Sequence, residues 1–151
     1  MIIGIDPGVK GGMALLTPGG EVVETISFDG MKEKELAFAF STWKDITSPS
    51  APPEVWLEKV GYIRGDGGKG SFTFGRIAGL LAGLSWGCGW EPKYVYPMMW
   101  QSALGCLTGG NKNVSKARAQ QLFPTLTITH ATADALLLAE FGRRVFGGRG
   151  K

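Results

Sequence analysis

Three short runs of strand-forming residues fill the first 28 positions, and turn-forming glycine and proline separate them. Met1 to Asp6 is mostly β-branched and reads as a buried central strand. Pro7-Gly8 and Gly11-Gly12 are turn chemistry, after which Met13 to Thr17 returns as a second strand. Thr17-Pro18-Gly19-Gly20 turns the chain again, and Glu21 to Phe28 reads as a third strand. The chain therefore opens with an antiparallel meander, and the later segments have to pack against it.

From Met31 to Ile46 the period becomes helical, with Leu36, Phe40 and Trp43 at i, i+4 and i+7 on one face. Ser48 to Pro53 stops that helix, and Val55 to Val60 predicts a fourth strand ending near Glu58. Gly61 to Gly70 is glycine-rich and charged, which predicts an exposed, mobile loop. Ser71 to Gly87 predicts a helix with Ile77, Leu80, Leu81 and Leu84 as its apolar face. Gly75, Gly79, Gly83 and Gly87 recur along it every fourth residue. Each costs a helix about 1 kcal/mol relative to alanine. The stripe therefore points to close backbone approach, by the sheet or by the same helix of a second subunit.

Lys93 to Tyr96 reads as a fifth strand, and Pro97 opens a helix running toward Leu104. Gly109 to Asn113 reads as a loop, and Ser115 as the cap of a helix that stops before Pro124. A last helix is expected from about Thr129 to Phe146. The order β-β-β-α-β-α-β-α-α-α predicts one α/β domain over 1–151, a mixed five-stranded sheet flanked by helices.

Composition narrows the setting. No apolar run reaches the roughly 18 to 20 residues that span a bilayer, and no signal peptide precedes the first strand, so a cytoplasmic protein is expected. Cys88 and Cys106 have neither metal-ligand nor disulfide-scaffold spacing. The net charge is only +3. Its distribution says more: Arg143, Arg144, Arg149 and Lys151 lie together at the end, and Lys69, Arg76, Lys93, Lys112 and Lys116 lie among few acids. Such surfaces suit phosphates, although solvated basic faces look the same in composition.

Three acids stand at telling places. Asp6 ends the first strand before a tight turn, Glu58 ends the fourth before a loop, and Asp134 falls in the first turn of the last helix. Each also has a local explanation: Asp-Pro-Gly is an ordinary turn, a glutamate suits a strand edge, and the helix dipole favours an acid near its start. If strands one and four are neighbours, however, Asp6 and Glu58 converge, and the last helix need only aim Asp134 at the same point. Magnesium prefers such hard oxygen ligands. Two ions roughly 3.5 to 4 Å apart serve phosphodiester hydrolysis. His130, one turn before Asp134, is a further candidate ligand or proton relay, with a surface helix-end histidine as the alternative.

These segments carry a family resemblance. Ile3-Gly4-Ile5-Asp6-Pro7-Gly8 resembles the opening motif of the RuvC family of Holliday junction resolvases. Leu57-Glu58-Lys59-Val60 is similar to its second acidic strand, and Ala133-Asp134-Ala135-Leu136 to its closing motif. Val95-Tyr96-Pro97 followed by Trp100, and Leu122-Phe123-Pro124, resemble the compact phage-encoded branch. The likeness runs the length of the chain in order.

The resemblance implies an RNase H-like fold and a twofold homodimer, formed through the helix at 71–87, that makes paired nicks in four-way DNA. It implies Asp6, Glu58 and Asp134 as catalytic metal ligands, with two Mg2+ per site and Mn2+ as the alternative. Many relatives carry a fourth acid a turn before the last one, and here His130 is the substitute. Tyr62 falls near the family's junction-wedging aromatic, and Lys112 and Lys116 fall where family lysines approach the scissile phosphate. With Arg64 and Lys69 these form the expected DNA contacts.

Two other readings compete. One is a related nuclease on the same scaffold, cutting flaps, forks or RNA. The other is an actin- or sugar-kinase-like phosphate-binding fold, or a junction-binding module without catalysis. The kinase-like folds need a second subdomain, and no GxxxxGK[ST] loop is present. A pure binding module has no use for three converging carboxylates beside an anionic substrate.

Overall fold

The first strand sits at the centre of the sheet, as its β-branched run predicts. The structure is a computed structural model, and it describes residues 1–59, 61 and 67–147. Five strands pair in the order β3-β2-β1-β4-β5, with β1 at Ile2–Asp6, β2 at Gly12–Leu16, β3 at Val22–Ser27, β4 at Glu54–Glu58 and β5 at Pro92–Val95. β1, β2 and β3 form the expected antiparallel meander. β4 joins β1, and β5 joins β4, in parallel.

Strand alternation divides the core into two layers. Ile3, Ile5, Met13, Leu15, Val55 and Leu57 face one way. They pack with Leu36, Phe40 and Trp43 of α1 (Glu33–Ile46) and with Leu81 of α2 (Gly67–Gly87). The apolar face read for α1 is the one it buries. Trp43 Nε1 also donates to Glu24 Oε2 at 2.6 Å, tying α1 to the edge strand. Ile2, Ala14, Leu16 and Trp56 face the other way, toward α3 (Pro97–Ala103), α4 (Lys112–Leu122) and α5 (His130–Gly147). Asp6 and Glu58 share this second face, because they lie an even number of residues from Ile2 and Trp56.

α5 is the best-buried helix of that layer. It lies against β1 and β2 because Gly4 and Gly12 leave room for its backbone. A Cβ on Gly4 would run into the Ala135 carbonyl and the Ala139 backbone. One on Gly12 would come within 2.6 Å of the Ala131 carbonyl. Gly4 and Gly12 thus set the height of α5 above the strands, and with it the position of Asp134 over Asp6.

The structure corrects several boundaries. α2 begins at Gly67, so Lys69 belongs to its exposed first turn and not to a loop. α4 begins at Lys112, with Asn111 as its cap, and the Asn111 side chain accepts from Asn113 N–H at 3.0 Å. Ser115, expected as the cap, is buried one turn inside that helix. Asp134 stands in the second turn of α5, not the first, which weakens the helix dipole as a reason for its presence.

Of the two neighbours expected for the glycine stripe, the sheet is excluded. A Cβ at Gly75, Gly79, Gly83 or Gly87 would meet nothing within 4 Å among the described residues. Ile77, Leu80 and Leu84 are only half-buried, and Phe72 and Trp86 are 72% and 56% exposed. No helix among the described residues is long and apolar enough to cross a membrane.

Candidate active site

Parallel pairing places Ile5 beside Leu57, and one step further along both strands Asp6 stands beside Glu58. α5 brings Asp134 over the same end of the sheet. All three acids line one open cavity of about 630 Å3, together with Lys10, Gln101 and Lys112.

Each carboxylate is held differently. Asp6 Oδ1 accepts from Gly8 N–H at 3.1 Å, so the Asp-Pro-Gly turn exists and also faces the cavity. Glu58 Oε2 accepts from Trp100 Nε1 at 2.9 Å. Trp100 is fully buried on α3, which Pro97 starts immediately after β5. Asp134 Oδ1 is buried and has no hydrogen-bond partner among the described residues. An orphaned buried carboxylate oxygen is costly and calls for a cation or a proton. The Ser115 hydroxyl, which donates to the Lys112 carbonyl at 3.2 Å, is near enough to stabilise the Asp134 carboxylate when its rotor turns that way.

The electrostatics follow from crowding acids in a partly dry site. Burial, and then the neighbouring Asp134, push the Asp6 carboxyl up to about 6 against the pull of Gly8 N–H and Lys112. Burial, and then Asp6, push Glu58 up to about 7; Asp134 adds to this, while the Trp100 N–H and Lys112 oppose it. Burial raises Asp134 as well, offset by Ser115, Lys112 and His130. Burial raises all three, and repulsion adds to it at Asp6 and Glu58. Such a set releases its protons more easily when a cation arrives.

The donors fit a hard divalent ion: three carboxylates, one with an unsatisfied oxygen, in a cavity open to solvent. As the side chains stand, no three His, Cys, Asp or Glu among the described residues are gathered closely enough to hold a single ion.

The other expected site residues are distributed less tightly. Lys112 reaches the carboxylate cavity. Lys116, one turn later, is half-buried and outside its lining. Lys69 is exposed at the start of α2 and also lies outside it. Tyr62 and Arg64 lie outside the described residues. His130 is exposed and lines an adjoining cavity instead. Sequence reasoning passed over Lys10 and the role of Trp100. Lys10 could have been found from its place in the turn after Asp6. Nothing in the sequence signals that the indole of Trp100 turns toward Glu58.

No family model matches the chain, and no curated protein matches it. Solved structures do. The chain superposes on Thermus thermophilus RuvC with a TM-score of 0.62 at 17% identity, covering 99% of this chain and 96% of that one. It superposes on T. thermophilus RuvC in complex with Holliday junction substrate with a TM-score of 0.64, at the same identity and coverage. The chain thus has the RNase H-like fold of those proteins, in agreement with the sequence reading.

Proposed function

We propose that the chain is a Holliday junction resolvase: a homodimeric, divalent-metal-dependent endonuclease that makes symmetric paired nicks in four-way DNA. The observation that carries this reading is the convergence of Asp6, Glu58 and Asp134 in one cavity whose rim bears Lys10 and Lys112. The motifs at those acids and the fold shared with RuvC support it.

In this proposal Asp6, Glu58 and Asp134 hold two Mg2+ ions, or Mn2+ in their place. When bound, such ions activate the attacking water and stabilise the leaving oxygen. The chain's own groups supply position. Lys112 draws the phosphodiester to the rim and offsets its charge. Trp100 fixes the Glu58 carboxylate, and the Gly8 N–H fixes that of Asp6. The open stripe at Gly75, Gly79 and Gly83, flanked by exposed Phe72 and Trp86, is the proposed contact with the second subunit. A twofold dimer matches a four-way junction in symmetry. The likeness around Trp100 and Leu122-Phe123-Pro124 supports a phage-encoded type, acting in the cytoplasm of a bacterial host.

The test is cleavage of a mobile four-way junction in magnesium, beside flaps, forks and RNA hairpins, by the parent and by Asp6→Asn. Paired symmetric nicks by the parent, with binding but no cutting by the variant, are expected. Unpaired or flap-directed cuts would favour the broader nuclease. Binding without cutting by both, in either metal, would leave a junction-binding module.

A further inference from the structure

Beside the carboxylate cavity lies a second one of about 700 Å3. The two have Lys10, Gly110 and Lys112 in common, so they are adjoining parts of one cleft. The second contains none of the three clustered acids. Lys10, Lys112 and His130 line it with nitrogen donors, against one carboxylate, Asp29. All three donors are exposed, and the ion pairs seen among the described residues use other side chains. The first residues of α4 and α5 also border it, adding the partial positive charge of helix N-termini. Helix ends alone name no ligand. Three side-chain donors around a cavity that opens into the carboxylate site do: they suit a phosphate.

We propose that this cavity seats the DNA phosphate next to the one being cut, with Lys10 and His130 as its contacts and Lys112 between the two seats. This rests on the nuclease reading above. It also reassigns His130, from a metal ligand to a phosphate donor, because His130 belongs to the wall of this cavity and is absent from that of the carboxylates. The cleft then fixes the strand at two consecutive phosphates, which sets its direction across the site as well as its affinity.

The test is metal-free binding of a four-way junction across a salt series, by the parent, Lys10→Gln, His130→Ala and a control, Lys44→Gln. Lys44 is exposed on α1, across the sheet from the cleft. Lys10→Gln is expected to weaken binding several-fold and to lower the slope of log K against log salt by about 0.9, one phosphate contact. His130→Ala should weaken binding with less change of slope, and Lys44→Gln should match the parent. A junction carrying one neutral methylphosphonate beside the mapped cut should weaken the parent but not Lys10→Gln. If the parent cuts junctions and the neutral linkage costs parent and Lys10→Gln equally, the second seat is wrong and the nuclease reading stands. If inorganic phosphate shifts the His130 ring resonances while no variant alters DNA binding, the cavity serves free phosphate and the backbone assignment fails. If the parent neither binds nor cuts any DNA tested, the nuclease reading falls and this assignment falls with it.

Discussion

Trp100 Nε1 donates to Glu58 Oε2 at 2.9 Å, joining a fully buried indole on α3 to the carboxylate that ends β4. That bond opposes the burial and repulsion that raise Glu58 to about 7. Trp100→Phe removes the donor and leaves a small void. We expect a loss of about 1 to 3 kcal/mol of stability and a fall in cleavage rate at neutral pH of about tenfold. Glu58 should titrate still higher, so part of the lost rate should return as pH rises. A pH–rate profile for parent and variant checks this, and an unshifted acidic limb would show that the indole only fills space.

The raised carboxyls make a prediction about stability and pH. Asp6 and Glu58 bind protons more readily folded, at about 6 and about 7, than in the unfolded chain. Their contribution to stability is therefore full below the ordinary carboxylate range, near pH 4, and is lost as pH rises through 6 to 7. The metal-free protein should be more resistant to urea at pH 5 than at pH 8, as far as these groups decide it. Asp6→Asn should gain about 1 to 2 kcal/mol at pH 8, about half as much at pH 5 and little below pH 4, a range kept below the full shift because the site is open to water. Urea titrations at the two pH values measure it, and equal effects at both would contradict the buried cluster.

Magnesium should reverse that penalty. An ion bound to the folded chain alone adds about 1.4 kcal/mol at ten times its dissociation constant. Melting temperature at pH 8 should rise with magnesium for the parent. Asp134→Asn, which removes the anion whose Oδ1 lacks a partner, should lose most of that rise. A parent that melts identically with and without magnesium or manganese would sink the metal assignment independently of any activity assay.

Much of this arrangement was legible in the sequence, for reasons of chemistry. β-branched runs between Gly-Pro turns gave the meander, and the position of the acids at strand ends placed Asp6 beside Glu58 once β1 and β4 paired. The misplaced starts at Ser71 and Ser115 have a common cause. Glycine and asparagine read as loop, yet Gly67 to Gly70 and Lys112 to Val114 are helical. The low intrinsic preference of Gly67, Gly68, Gly70 and Asn113 is overridden by the rest of each helix. His130 was placed by its spacing from Asp134, but an i, i+4 pair shares a helix face without sharing a cavity. Which side of α5 opens to the acids depends on Gly4 and Gly12, whose role appears only when a Cβ is set against the helix backbone.

Gly4 and Gly79 lie in opposite environments, and alanine should separate their roles. At Gly4 the new methyl would meet the Ala135 carbonyl and the Ala139 backbone, which have no rotamer to yield. Gly4→Ala should therefore lift α5 off β1, cost about 3 kcal/mol or more, and displace Asp134 from Asp6. At Gly79 the methyl meets open space in the single chain. Gly79→Ala should stabilise an isolated chain by up to about 1 kcal/mol through helix propensity. If α2 packs on α2 of a second copy, the same methyl separates two backbones that the glycine stripe lets approach. The dimer should then dissociate at lower dilution while the chain itself melts no earlier. Sedimentation across a concentration series, with denaturant melts on the same samples, distinguishes the two effects. A parent that stays monomeric at all concentrations, or a Gly79→Ala dimer as tight as the parent's, would remove α2 as the subunit contact.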